Sequence, residues 1–146
     1  HGVSWGLSEA GYDIRIKQDI NFIHSQFPSG KKWEVATRFK NEAEEKFAKF
    51  IDGKFVIASA IEEFDMPECL VGIVHDKSTW ARQGLSVFNT VIEPGFKGGL
   101  TLELVYHGDK NLFIPAGSGI AQVIFHQLTD AAHYNGIDPG YKRMLP

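Results

Sequence analysis

The segment "FKGGLTLEL", residues 96–104, decides what fold we expect from this chain. Leucines at positions 100, 102 and 104 alternate with other residues, and a period of two is typical of a strand with one buried face. The same alternation places Thr101 and Glu103 together on the opposite face. The segment therefore predicts a β-strand that carries a carboxylate on the side away from the core.

Short β-rich runs recur along the rest of the chain between Gly, Pro, Asn and Asp residues. This pattern is typical of antiparallel barrels and sandwiches and not of βαβ units. At 146 residues, the chain is long enough for one domain with a buried core. The sequence predicts a single mainly β domain over residues 1–146, with strands at 12–17, 54–61, 69–75, 85–88, 100–107, 111–114 and 120–126. Because the chain opens with His1 and not with Met, we expect that N-terminal residues are missing from it.

One segment departs from the period of two. Its apolar residues Phe39, Ala43, Phe47 and Phe50 repeat at helical spacing, and Glu and Lys residues form i,i+4 pairs on the other face. We predict an amphipathic helix over residues 39–50 that packs on the sheet, preceded by a loop with the sequence "SQFPSGKKW". The helix could be a lid or a partner-binding element, or a packed excursion between two strands.

Composition limits the possible partners. The chain has 15 Lys and Arg against 18 Asp and Glu and no basic stripe, so we expect no polymeric nucleic acid as a partner. No apolar run is long enough to span a membrane and no signal peptide is visible, so we expect no membrane partner. The single cysteine, Cys69, excludes an internal disulfide framework and fits a cytoplasmic location. It adjoins an apolar run, which favours a buried structural thiol.

The six histidines do not form a zinc motif. They lie at positions 1, 24, 75, 107, 126 and 133, and no two have the i,i+4 spacing of a zinc protease. Cys69 also lacks the second cysteine that a zinc-dependent deaminase needs. Glycine-rich phosphate loops of the P-loop and dinucleotide-binding types are missing from the sequence. We therefore expect no zinc site and no phosphate site of these two types.

A polar turn with the sequence "DKSTWARQGL" follows the strand predicted at 69–75. Lys77, Ser78, Thr79 and Arg82 bring two cations and two hydroxyls within six residues. Such donors can form charge-assisted hydrogen bonds with phosphate oxygens. The alternative is a solvated polar loop, but Trp80 favours an anchored one, because a large aromatic side chain in a polar loop usually packs against something.

Two carboxylates follow the polar turn. Glu93 precedes a Pro-Gly turn, and Phe96 just after it offers a flat apolar surface that could pack on a sugar or a base. Glu103 lies on the non-leucine face of the next strand. A carboxylate in that position could take a proton from water and pass it to a leaving group.

In their order and spacing, these segments resemble the dCTP deaminase branch of the dUTPase-like family. The resemblance rests on "SEAGYDIRI", "FVIASAIEEFDMPECLVGIVHDKSTWARQGL", "VIEPGFKGGLTLEL" and "IPAGSGIAQVIF", and it leaves out residues 18–52 as an insertion atypical of the family. It implies a distorted jelly-roll, a β-clip barrel of the dUTPase type, here with one inserted helix. It also implies a homotrimer with active sites at subunit interfaces, which binds the nucleotide as its Mg²⁺ complex and has no protein ligand to the metal.

The resemblance further implies an activity, the conversion of dCTP and water to dUTP and ammonia without zinc, with possible onward hydrolysis of dUTP to dUMP. Glu103 matches the general acid and base of the deaminases, and Ser78 and Arg82 match residues that orient water and stabilise charge. The same motifs imply a set of nucleotide contacts, namely Lys77, Thr79, Glu93, Phe96, Thr101, Leu102, Gln122, Tyr134 and Lys142.

Departures from the family pattern keep other activities open. The connection "LSVFNTVIEP" is shorter than usual in the hairpin that reads the pyrimidine, and Glu93 stands where the family usually has an aspartate. Gly119 stands where many dUTPases have an arginine, which argues against a pure dUTPase. The alternatives are a dUTPase or a hydrolase of modified pyrimidine nucleotides, and a trimeric nucleotide-binding module without turnover.

Overall fold

The computed structural model describes residues 3–8, 10–27, 30–39 and 48–130, and for residues 26, 27, 30 and 31 it describes the backbone alone. The described residues form twelve strands and one helical turn. In chain order these are β1 (Gly6–Leu7), β2 (Tyr12–Arg15), β3 (Gln18–Phe27), β4 (Gly30–Phe39), β5 (Lys49–Asp52), β6 (Phe55–Asp65), β7 (Leu70–Asp76), α1 (Ser78–Ala81), β8 (Leu85–Val87), β9 (Val91–Ile92), β10 (Lys97–Tyr106), β11 (Leu112–Ile114) and β12 (Gly119–Gln127).

These strands form three sheets, and every strand pair in the described ranges is antiparallel. The first sheet has the order β1-β2-β12-β7-β9, the second β6-β10-β8, and the third β11-β3-β4-β5. The prediction of a mainly β fold is confirmed, although the three sheets are not closed into a barrel. All seven predicted strands coincide with observed ones.

Strand β10 has the two faces that its sequence predicts. Leu102 and Leu104 are 1% and 0% exposed, whereas Thr101 is exposed and Glu103 is half-buried. The register opposite β6 shifts between Gly99 and Thr101, so an irregularity precedes the leucine pairs. Glu103 is therefore fixed on the outer face by the burial of its two neighbours.

The core lies between the sheets and takes apolar side chains from all three. Because side chains alternate along a strand, each sheet can contribute one apolar face to this core. Its fully buried members include Ile14 and Ile120 from the first sheet, Leu104 from the second, and Phe22 and Ile114 from the third.

Of the segment predicted as the loop "SQFPSGKKW", residues 25–27 and 30–33 belong to the strands of a long hairpin, and residues 28 and 29 lie outside the described part of the chain. β3 and β4 pair without interruption from Gln18 opposite Phe39 to Phe27 opposite Gly30. The prediction was wrong because the polar residues near the tip hide the strand pattern, whereas the backbone ladder needs no apolar side chains.

The helix predicted over residues 39–50 is wrong at both ends, and residues 40–47 lie outside the described part of the chain. Phe39 ends β4, and Phe50 lies in β5, which pairs with β4 along its edge. Phe39 is 40% exposed and Phe50 is 63% exposed, so the two do not share a buried helical stripe. The described helix, α1, has four residues and lies elsewhere. No helix in the described ranges is both long and apolar enough to cross a bilayer.

Cys69 is exposed, so the prediction of a buried thiol was wrong. The residue lies in the turn before β7, where its carbonyl accepts the N–H of Leu128 at 2.8 Å. The adjacent apolar run starts with the half-buried residues Leu70 and Val71 of β7.

Candidate active site

The polar turn after β7 forms α1. Lys77 precedes the helix in an extended conformation, and its carbonyl accepts the N–H of Trp80 at 3.0 Å. The carbonyl of Ser78 accepts the N–H of Arg82, also at 3.0 Å. Ser78 and Arg82 are exposed and Thr79 is half-buried. The turn thus presents a hydroxyl and a guanidinium to solvent from one compact element.

Two hydrogen bonds tie this turn to the sheets. The indole N–H of Trp80, which is 5% exposed, donates to the carbonyl of Gly119 at 2.7 Å. The carboxylate of Asp76 accepts the backbone N–H of Val87 at 2.7 Å. The expectation that Trp80 anchors the loop is confirmed.

The ammonium of Lys77 points into the protein. Its Nζ donates to Oδ2 of Asp13 at 2.5 Å, and each side chain is 13% exposed. The sequence did not predict this ion pair, because its partners lie 64 positions apart and no local pattern connects them. Lys77 therefore differs from Ser78 and Arg82, which stay open to solvent.

Gln122, a predicted nucleotide contact, lies next to this ion pair. It is opposite Asp13 on one side of β12 and opposite His75 on the other. Its amide is 3.4 Å from the hydroxyl of Ser8 and donates to it. The structure thus brings Gln122 close to the start of α1.

Close backbone packing requires a glycine at position 119. Its N–H donates to the carbonyl of Val3 at 2.9 Å, and a Cβ atom at this position would overlap the carbonyl oxygen of Ser4. Any larger residue would displace the N-terminal segment. The glycine that departs from the dUTPase pattern is therefore required by this chain's own fold.

Glu93 and Phe96 lie together in the turn between β9 and β10. Glu93 is exposed after β9, and its carbonyl accepts the N–H of Phe96 at 3.0 Å. The carbonyl of Phe96 in turn accepts the N–H of Met66 at 2.8 Å. A pocket of about 140 Å³ opens here, lined by Val91, Ile92, Glu93, Phe96 and Leu100.

Glu103 lies in the middle of an exposed apolar surface, which we call the apolar face and define by Phe55, Ile57 and Phe88. Glu103 is opposite Ile57 in the sheet, and its carbonyl accepts the N–H of Phe88 at 3.0 Å. The three apolar residues are 43%, 59% and 51% exposed, respectively. The carboxylate is therefore half-buried among apolar groups, whereas Leu102 directs its side chain into the core.

The predicted residues do not all converge within one chain. α1 follows the last residue of β7, whereas Ile92, just before Glu93, pairs with Gly72 near the beginning of that strand. The seven residues of β7 span about 20 Å. In the described ranges, no side-chain hydrogen bond or ion pair joins Ser78, Arg82, Glu93 or Glu103. Tyr134 and Lys142 lie outside the described residues.

The histidines of the described part are not grouped for metal binding. His24 stacks on Trp33 with 4.6 Å between ring centroids, and Nε2 of His107 is 3.1 Å from the hydroxyl of Ser86. Within residues that the structure describes, no three His, Cys, Asp or Glu side chains are placed to hold a metal ion together.

A polar network that sequence reasoning missed supports the strand of Asp13. Glu62 accepts hydrogen bonds from the backbone N–H and from Nε of Arg15, at 2.8 Å and 2.9 Å. It also accepts one from the hydroxyl of Tyr12 at 3.0 Å. The guanidinium lies over the ring of Trp5 at 3.8 Å. The network connects β2 with β6, and therefore the first sheet with the second.

The fold is similar to that of a protein of known structure. The solved structure of EIAV dUTPase matches with a TM-score of 0.57 over 95% of both chains at 19% identity, so the fold is of the dUTPase type. A family model described as dCTP deaminase-like matches residues 4–128. The chain belongs to the dCTP deaminase-like family.

Individual relatives agree with this assignment. A protein named dCTP deaminase from Campylobacter lari is 36% identical over 132 residues, which cover 86% of this chain and 68% of the relative. One of the same name from Helicobacter pylori (strain J99) is 33% identical over 143 residues, with 96% and 76% covered.

The phenol of Tyr12 gives a test of the network by pH. Partial burial, and then the hydrogen bond to the Glu62 carboxylate, raise the pKa of Tyr12 above its ordinary value. The folded chain thus holds this proton more tightly, so the phenol's contribution to stability is fully present below about pH 10 and is lost as the pH rises through the folded pKa. We expect the free energy of unfolding to fall more steeply above pH 10 in the wild type than in Tyr12→Phe. A constant difference between the two proteins at all pH values in urea titrations would contradict the network.

Proposed function

We propose that this protein is a dCTP deaminase, which converts dCTP and water to dUTP and ammonia. Family membership supports the reaction class, and relatives of this name cover most of the chain. The observation that carries the proposal is Glu103, a half-buried carboxylate on the outer face of β10, surrounded by the apolar face.

The carboxylate of Glu103 acts as a proton shuttle in this proposal. It accepts a proton from the water that attacks C4 of cytosine and delivers it to N3, and it then accepts the hydroxyl proton of the tetrahedral intermediate and delivers it to the departing amine. One water is consumed and one ammonia leaves, so the carboxylate ends each cycle in its starting state. The Ser78 hydroxyl orients the water and the Arg82 guanidinium stabilises negative charge that develops during attack.

In this proposal the nucleotide binds at two places, the α1 turn and the pocket beside Glu93 and Phe96. The Thr79 hydroxyl provides a donor for the triphosphate, which enters as its Mg²⁺ complex. The pocket beside Glu93 and Phe96 suits the deoxyribose, with an apolar ring and a carboxylate at its rim. Further proposed contacts are Thr101, the backbone of Leu102, Gln122, and Tyr134 and Lys142 in the C-terminal segment.

The proposed chemistry uses a carboxylate in place of a zinc-bound hydroxide. A zinc deaminase site is built from several cysteine and histidine ligands. This chain has one cysteine, Cys69, and that residue lies in the turn before β7. The donor set therefore favours Glu103 as the group that activates water.

We further propose a homotrimer with its sites at subunit interfaces. Glu93 and α1 lie about 20 Å apart along β7, so a second copy is needed to bring both kinds of group to one nucleotide. The apolar face around Glu103 offers a surface that association would cover.

Sedimentation equilibrium should give three times the mass of one chain. A stable monomer that retains full activity would contradict this arrangement.

A dUTPase is the second candidate function. The exposed carboxylate of Glu93 at the pocket could activate water for attack on a phosphate instead of a base. In that reaction dUTP yields dUMP and pyrophosphate, with no ammonia. A third candidate, a nucleotide-binding module without turnover, would bind these nucleotides and release neither product.

The substitution Glu103→Gln tests the leading proposal. Loss of the proton shuttle should lower kcat for ammonia release from dCTP by roughly 10²–10⁴-fold, while dCTP still binds. Glu63→Gln, the same change at an exposed position of β6, should leave the rate unchanged. Ammonia and pyrophosphate are measured separately with dCTP and dUTP as substrates in the presence of magnesium. Pyrophosphate from dUTP without ammonia from dCTP supports the dUTPase, and binding without either product supports the non-catalytic module.

A further inference from the structure

The ion pair between Lys77 and Asp13 is the most enclosed in the described ranges. Each of its side chains is 13% exposed, whereas Arg38 is 42% exposed in its pair with Asp19, and Lys32 is 52% exposed in its pair with Asp52. An exposed pair contributes little, because water screens both charges. An enclosed pair interacts strongly, and removal of one partner leaves a charge with neither water nor a counter-ion.

The position of the ion pair in the first sheet lets it connect the residue before α1 with a strand that is not its neighbour. Asp13 lies on β2, and Lys77 follows the last residue of β7. β12 runs between these two strands, and its residue Gln122 is opposite Asp13. The lysine side chain therefore reaches across β12 and fixes the first residue before α1 to a strand on the other side.

Three side chains around α1 are used for anchoring. Asp76 binds the backbone of β8, Lys77 binds Asp13, and Trp80 binds the backbone at the start of β12. The side chains of Ser78 and Arg82 are exposed and make no such contact with any residue that the structure describes. Each of these contacts therefore limits how Ser78 and Arg82 can be oriented toward a ligand.

We propose that Lys77 and Asp13 are positioning residues, whose ion pair holds α1 so that Ser78 and Arg82 face the nucleotide, and that Lys77 itself does not bind phosphate. The identity of the ligand in this inference rests on the proposed deaminase function. The geometric part, that the ion pair orders the turn, stands on the contacts alone.

A direct phosphate-binding role for Lys77 predicts the opposite effect of an Asp13 substitution on nucleotide affinity. If Lys77 bound phosphate directly, removal of the Asp13 charge would release its ammonium, and nucleotide affinity would stay the same or increase. If the pair positions α1, loss of either partner displaces Ser78 and Arg82. A misplacement of about 1 Å can cost roughly 100-fold in rate.

The test uses Lys77→Met, Asp13→Asn and the double variant in the full chain. We expect each single change to lower kcat/KM for dCTP by roughly 100-fold, and the double variant to be no worse than either single one. Lys77→Arg, which keeps the charge, should recover most of the activity. Lys32→Met and Asp52→Asn provide a matched control, because they remove the exposed ion pair at 3.1 Å on β4 and β5.

Hydrogen exchange separates positioning from folding and from the assigned reaction. The backbone N–H groups of Trp80, Ala81 and Arg82 bond to the carbonyls of Lys77 and Ser78, so their exchange reports the order of the turn. These amides should exchange faster in Asp13→Asn and in the double variant, while core amides stay protected. The double variant leaves no buried charge unpaired, so it keeps the test valid if a single variant unfolds.

Two results would overturn the inference. In the first, Asp13→Asn has the hydrogen exchange rates of the wild type in α1 and the wild-type kcat/KM for dCTP, whereas Lys77→Met has lost affinity for dCTP. The other is a folded double variant with full activity. If the wild type releases no ammonia from dCTP, the proposed function fails, and the exchange measurement alone decides the role of the ion pair.

Discussion

The alternation of side chains along β10 is the constraint on which the core and the proposed site both depend. Burial of Leu102 and Leu104 forces Glu103 onto the outer face, because a shift of one residue would exchange the two faces. The strand is also central in its sheet, between β6 and β8. The position of the proposed catalytic carboxylate is therefore stabilised by the same packing that stabilises the fold.

The second requirement is a rigid turn beside that strand. α1 has only four residues, and so short a helix is not stable by itself. Its order comes from side-chain contacts with the sheets, of which the Lys77–Asp13 ion pair and the Trp80 hydrogen bond are the most enclosed. A turn held in this way can present Ser78 and Arg82 in one arrangement, which is what the proposed catalysis by preorganised charges needs.

The sequence predicted those parts of the structure that local patterns encode. Seven strands followed from period-two alternation and turn residues, and Glu103 was placed correctly by the leucines around it. β3 begins with Gln18 and Asp19, which are buried polar residues whose side chains accept backbone N–H groups at 3.0 Å and 2.7 Å, so apolar alternation marks only the short stretch from Ile20 to Phe22 and the strand was missed. The Lys77–Asp13 ion pair was missed because it joins distant segments and exists only once the first sheet has formed.

In the proposed homotrimer two subunits complete each site, with Arg82 from one chain meeting Glu103 of its neighbour. Subunit complementation tests this most directly. Arg82→Ala and Glu103→Gln proteins, each inactive alone, are mixed in equal amounts, refolded together and assayed for ammonia release from dCTP. Random trimers should recover about a quarter of the wild-type rate, since half the sites have an intact arginine and half of those an intact glutamate. Mixed trimers that release no ammonia would contradict the shared site.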